Sequence, residues 1–143
     1  MFRNDYLMRH IEQLAAALAR VLGLNRRDEF AVARDEAQRT WEELLDVPRA
    51  LRDAVDIPTL AGMLREPGRL RLGGRLFAAE STALIGLGDA ARGATLQRRA
   101  LELLLEARAV DPGGETDDDA SAIRALSAAV RVDSLTARHQ ALL

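Results

Sequence analysis

The chain has 143 residues, the size of one ordinary domain and enough to bury a core without disulfide or metal staples. Apolar residues make up 48% and aromatics only 3%, so wholesale disorder is excluded and the core must be built mainly from Leu, Ala, Val and Ile. A net charge of −2 gives no global pull towards nucleic acid or anionic membrane, and the absence of cysteine removes disulfides, thiol catalysis and thiolate zinc sites.

Leu and Ala favour helix, and the apolar periodicity is helical throughout, with no strand-like alternation. Asn4 or Asp5 can cap a first helix that runs to about Leu22. Leu7, Ile11, Leu14, Leu18 and Val21 recur at spacings of four and three and form one stripe. Gly23 and Asn25 supply its stop. A second helix, from about Asp28 to Leu45, carries Phe30, Ala33, Ala37, Trp41, Leu44 and Leu45. The short loop makes these two an antiparallel hairpin over about 5–45.

Prolines punctuate a connector over 46–68. Pro48 fits the first turn of a short helix from Arg49 to Val55, and Thr59 can cap another from Leu60 to Arg65, closed by Pro67 and Gly68. Gly73-Gly74 weakens helix, so the next helix gains a clear pattern only from Arg75, with Leu76, Phe77, Ala79, Ala83, Leu84 and Leu87. Gly86-Leu87-Gly88-Asp89 ends it. A long helix from about Ala90 to Val110 repeats the stripe with Leu96, Ala100, Leu103, Ala107 and Val110, and Asp111-Pro112-Gly113-Gly114 stops it. The pair forms a second hairpin over about 70–110. The acidic run Glu115 to Asp119 then leads into a last helix, about 118–132, whose dipole it complements, and a short turn over Leu135 to Leu142 follows. The expectation is one all-α domain of packed helical hairpins, in a tetratricopeptide-like or bundle arrangement.

Little in this chain reads as chemistry. His10 and His139 have no second histidine at helical spacing, so a paired-histidine metal face is excluded, and neither has a visible catalytic partner. Glu115 to Asp119, with Asp111, offers oxygen ligands but not the alternating pattern of a calcium loop; a solvated loop with a helix cap is favoured. Gly73-Gly74 and Gly86-x-Gly88 follow no strand and lack the Gly-Lys-Ser/Thr of a phosphate loop. All 20 basic residues are arginine, which reads as the codon bias of a GC-rich genome. Arg65, Arg69, Arg71 and Arg75, against the single acid Glu66, make a segment of local charge +3. This is the best anion-site candidate, although no aromatic interleaves to stack a base.

Two resemblances bear on this reading. Gly88-Asp89 followed by Ala100-Leu101-Glu102-Leu103, with small Gly93 and Ala100 at close-contact positions, resembles a tetratricopeptide repeat; Ser81, Gln97 and the displaced Pro112 depart from that pattern. Asp5-Tyr6-Leu7-Met8-Arg9-His10-Ile11-Glu12-Gln13-Leu14, with Trp41-Glu42-Glu43-Leu44-Leu45 further on, resembles a family of short, uncharacterised bacterial proteins with tetratricopeptide-like helices. That second resemblance transfers no catalytic residue, but it marks Tyr6, Arg9, Glu12, Gln13 and Trp41 as candidate partner contacts beside the four arginines.

The sequence therefore points to a non-enzymatic helical module that holds another protein or peptide. The long first stripe suggests self-association as a homodimer. The alternative is an anion- or nucleic-acid-binding protein using Arg65, Arg69, Arg71 and Arg75, with nucleic acid disfavoured. No cofactor is called for. The longest apolar runs fall short of the roughly 18 residues that a membrane span needs, and the N-terminal stretch has no uninterrupted apolar leader, so a cytoplasmic setting is the expectation.

Overall fold

The computed structural model describes residues 2–143, with side chains from Asn4 onward. Its described residues form eight α-helices and no strand: α1 (Phe2–Arg26), α2 (Phe30–Glu43), α3 (Arg49–Ala54), α4 (Ile57–Leu64), α5 (Pro67–Gly86), α6 (Ala90–Val110), α7 (Asp117–Ala129) and α8 (Ala137–Leu142). Single 3₁₀ turns at Pro112–Gly114 and Val132–Ser134 separate the last three. The all-α reading holds. The two expected hairpins are α1–α2 and α5–α6, joined by the short helices α3 and α4.

The helix at the centre is α5, which packs against α6 on one side and against α1 and α2 on the other. Its buried residues run around the cylinder and include Leu70, Leu76, Phe77, Ala83 and Leu84, together with the charged Arg71 and Glu80. A helix enclosed on several sides needs small residues where its neighbours cross it. This explains the first departure from expectation: the helix begins at Pro67, eight residues before Arg75, and runs straight through Gly73-Gly74. A methyl group at Gly73 would stand 3.1 Å from the Trp41 ring, and one at Gly74 would stand 2.8 Å from Leu104 Cγ and 3.3 Å from the Ala100 carbonyl oxygen. The glycines cost helix propensity, and close contact with α2 and α6 offsets that cost.

Other boundaries move for equally local reasons. The first helix continues past Gly23 and Asn25 to Arg26, because Asn25 donates 2.9 Å to the Ala79 carbonyl and Leu22 and Leu24 pack onto the core. The positive φ that ends it falls on Asp28. Helix α4 starts at Ile57 rather than Leu60: Asp56, not Thr59, is its cap and accepts from the Thr59 amide at 2.8 Å, with Pro58 in the first turn. Thr116 and Asp119 close a reciprocal capping box at the start of α7. Val110, expected on the α6 stripe, is instead exposed near the helix end, while Leu101, Leu105 and Glu106 are buried.

Leu14, Leu18 and Val21, the regular centre of the first stripe, are buried against the protein's own core. Trp41 is fully buried and stacks on Phe77 at 4.6 Å between ring centroids, so it serves the core and is not open to a partner. No helix of the described residues is long and apolar enough to cross a membrane.

Candidate functional site

Where α2, α3, α5 and α6 converge, the surface dips into a cleft of about 190 Å³. Gln38 comes from α2, Arg49, Arg52 and Asp53 from α3, Glu80 and Leu84 from α5, and Arg92, Thr95, Leu96 and Arg99 from α6. Its lining therefore holds four guanidiniums and two carboxylates. Trp41 and Phe77 lie beneath it, with Arg52 Cζ 5.1 Å from the centroid of the Phe77 ring and 5.6 Å from that of Trp41.

The floor is a buried ion pair. Arg52 donates from Nη1 to Glu80 Oε1 at 2.8 Å and from Nη2 to Glu80 Oε2 at 3.1 Å, a bidentate fork in which both side chains are about 2% exposed. Arg52 Nε donates to Asp53 Oδ1 at 2.9 Å. Burial disfavours the Arg52 charge, but bonds to Glu80 and Asp53 outweigh it and hold the guanidinium above its ordinary value. With all three types of its nitrogen engaged, Arg52 is a structural cation.

Arg99 is in a different position. It is half-buried, its Nη2 donates 2.6 Å to the Arg52 carbonyl oxygen, and its Cζ lies 5.6 Å from the centroid of the Phe77 ring. Its Nε is buried without a hydrogen-bond partner among the described residues, and no carboxylate there pairs with it. Desolvation pushes its pKa below the ordinary arginine value, against the pull of Asp53 and Glu102 and with help from Arg52 and Arg98. Arg49 and Arg92 are exposed and carry only loose ion pairs, at 3.9 Å to Asp53 and 3.7 Å to Asp89.

A second charged cluster ties α7 and α8 to the rest of the fold. His139, 1% exposed, sets Nε2 2.7 Å from Glu106 Oε2 and Nδ1 3.2 Å from Glu102 Oε2. Arg138 forks onto Glu106 with two bonds of 2.9 Å. That fork, together with the His139 bond, holds the Glu106 carboxyl below its ordinary value against the opposing effect of burial. Arg108 forks onto Glu115 at 2.9 and 3.0 Å. Thus His139 does have acidic partners, which their separation in sequence concealed.

The candidates named from sequence are dispersed. Tyr6 is 75% exposed on the first turns of α1, near exposed Arg9, Glu12 and Gln13. Arg65 ends α4 with a positive φ. Arg69 donates 2.9 Å to the Leu45 carbonyl, and Arg71 is buried against Asp111, whose carbonyl it also bonds, and Asp119. Arg75 is half-buried beside Ala78, Thr82 and Asp118. The +3 segment is therefore not one basic surface: two of its four arginines are committed inside the fold. The acids expected to form a solvated run are similarly engaged, Glu115 by Arg108 and Asp119 by Arg71 and the α7 cap. Among the described residues no group of His, Asp or Glu is arranged to hold a metal ion.

Sequence reasoning missed Arg49, Arg52, Glu80 and Arg99. One signal was present. Glu80 lies four residues from both Leu76 and Leu84, inside the apolar stripe of α5, and a carboxylate there must find a cation. No family model matches the chain, and no curated protein or solved structure matches it.

Proposed function

We propose that this chain is a non-enzymatic helical interaction module, a small scaffold that holds another protein or peptide, and that the arginine-lined cleft is where the partner docks. One observation carries the reading: four helices converge on a cleft whose floor is locked by the Arg52–Glu80 pair while its cations outnumber its acids. A rigid floor with spare charge around it is suited to recognition. Guanidinium is a hydrogen-bond donor rather than a proton shuttle, and the cleft's carboxylates already face arginine, which favours binding over acid–base chemistry. Tetratricopeptide-like kinship and a cytoplasmic setting belong to the same proposal.

Self-association is its second element. With Leu14, Leu18 and Val21 used by the core, the large apolar side chains left exposed on α1 among the described residues are Tyr6 and Met8, 75% and 61% exposed. Sedimentation velocity should show a dimer that Tyr6→Ser with Met8→Glu converts to monomer; a wild-type monomer at all micromolar concentrations removes this element.

Peptide-display selection on the immobilised protein tests docking. Enriched peptides should lose binding to Thr95→Trp, which fills the cleft from an exposed position on α6. Peptides that bind this variant as tightly as wild type would place the interface elsewhere.

A further inference from the structure

The cleft's charge says more than that something docks there. Its lining carries Arg49, Arg52, Arg92 and Arg99 against Asp53 and Glu80, a surplus of two positive charges. The surplus is not spread evenly. Arg52 is saturated by Glu80 and Asp53, so the unspent cations are Arg99, held half-buried with an unpartnered Nε, and the exposed Arg49 and Arg92. Elsewhere in the fold Arg71 meets Asp111 and Asp119, and Arg108 meets Glu115, while Arg69, like Arg99, bonds a backbone carbonyl and keeps an unpartnered Nε but lies outside this arginine-lined cleft. An arginine withdrawn from water without an anion is costly, and an incoming oxyanion would remove that cost.

Resting on the docking role proposed above, we infer that the cleft is a receptor for one oxyanion carried by the partner, a side-chain carboxylate or phosphate, held by Arg99 with Arg49 and Arg92 around it. Both chemistries suit guanidinium forks, which match planar pairs of oxygens. A cleft of about 190 Å³ has room for such a group with a few neighbouring atoms. Nucleic acid fits less well, because the aromatic rings nearest the cleft, Trp41 and Phe77, are fully buried and offer no face to a base. Glu80 shows that the site's chemistry accommodates a carboxylate, since one already sits on Arg52.

Trp41 is the chain's one tryptophan and lies beneath Arg52, so its fluorescence reports on the cleft. The test titrates the intact protein at constant ionic strength with inorganic phosphate, and with three versions of one selected peptide that bear glutamate, phosphoserine or glutamine at one position. Saturable binding of the glutamate or phosphoserine version is expected, weakened about tenfold or more in the glutamine version and by Arg99→Met. The tighter of the two anionic versions identifies the oxyanion's source. Arg49→Gln, at an exposed position where folding is not at risk, should weaken binding in the same direction, while Arg124→Gln on α7 should not. Equal binding of the glutamine version, or unchanged affinity in both Arg99→Met and Arg49→Gln, overturns the oxyanion site. If those peptides are still lost with Thr95→Trp, docking at the cleft survives that failure. Inorganic phosphate addresses the site when no peptide is recovered: a saturable signal lost in Arg99→Met supports it, and none contradicts it. An oligonucleotide that binds while every anionic peptide fails would also overturn it.

Discussion

Two arginine-rich regions flank the central helix α5, and they are built on opposite rules. In the region joining α5, α6, α7 and α8, arginines meet acids at close range: Arg71 with Asp111, Arg108 with Glu115 and Arg138 with Glu106, whose carboxylate also bonds the His139 ring. In the cleft between α2, α3, α5 and α6, one pair is matched with the same care and the remaining cations are left over. Matched charge fastens short helices to a core. Surplus charge, kept partly out of water, is a standing capacity to bind. On the proposed docking role, the difference separates arginines that hold the fold from those that a partner would use.

Mutating the two regions sharpens this contrast, and the largest effect belongs to the matched pair on the cleft floor. Arg52→Ala should cost about 3–5 kcal/mol, because it leaves Glu80 buried and uncompensated. Arg52→Met with Glu80→Leu should recover most of that loss in chemical denaturation. If the single and double variants are equally unstable, the pair is not the reason. Next comes Gly74→Ala. Alanine gains up to about 1 kcal/mol of helix propensity, but the contact with Leu104 costs about 1–3, so a net loss of about 1 kcal/mol is expected. A gain in stability would mean that α5 and α6 are not as close as described.

Arg99→Met should change stability by less than about 1 kcal/mol, since no ion pair is lost, while removing oxyanion affinity. A loss as large as that of Arg52→Ala would move Arg99 to the structural class. The smallest effect is on the acid limb. The Glu106 and Glu115 carboxyls lie below their ordinary value of 4.5, through bonds from Arg138 and Arg108 respectively. A depressed carboxyl contributes its stability in full above that value and loses it as pH falls through the folded-state pKa. Denaturation midpoints should therefore drop as pH falls below about 4.5, and Arg138→Gln should make that drop shallower. An unchanged acid limb in this variant would discount the fork on Glu106.

The fold was far more legible in the sequence than the cleft. Leu14, Leu18 and Val21, or Ala33, Ala37 and Trp41, announce their burial through spacings of three and four, because neighbours on a helix face are close in sequence. Stops such as Gly88 and the Asp111 to Gly114 turn are likewise local. Gly73-Gly74 misled because its reason lies on other helices, in Trp41, Leu103 and Leu104. The cleft suffers most from this. Arg52 and Glu80 are 28 positions apart, and Arg99 reaches the Arg52 carbonyl across 47. The basic run 65–75 was conspicuous because its charges are adjacent, yet adjacency along a buried helix sends them to different partners.

The most direct test compares the two regions in one experiment, by following the Nε–Hε resonances of the arginines during a titration with inorganic phosphate at constant ionic strength. Arg99 should shift and saturate, with smaller changes at Arg49 and Arg92, while Arg71 and Arg108 stay still. Equal movement of Arg71, Arg108 and Arg99, or a stationary Arg99, would contradict the division between matched and surplus charge.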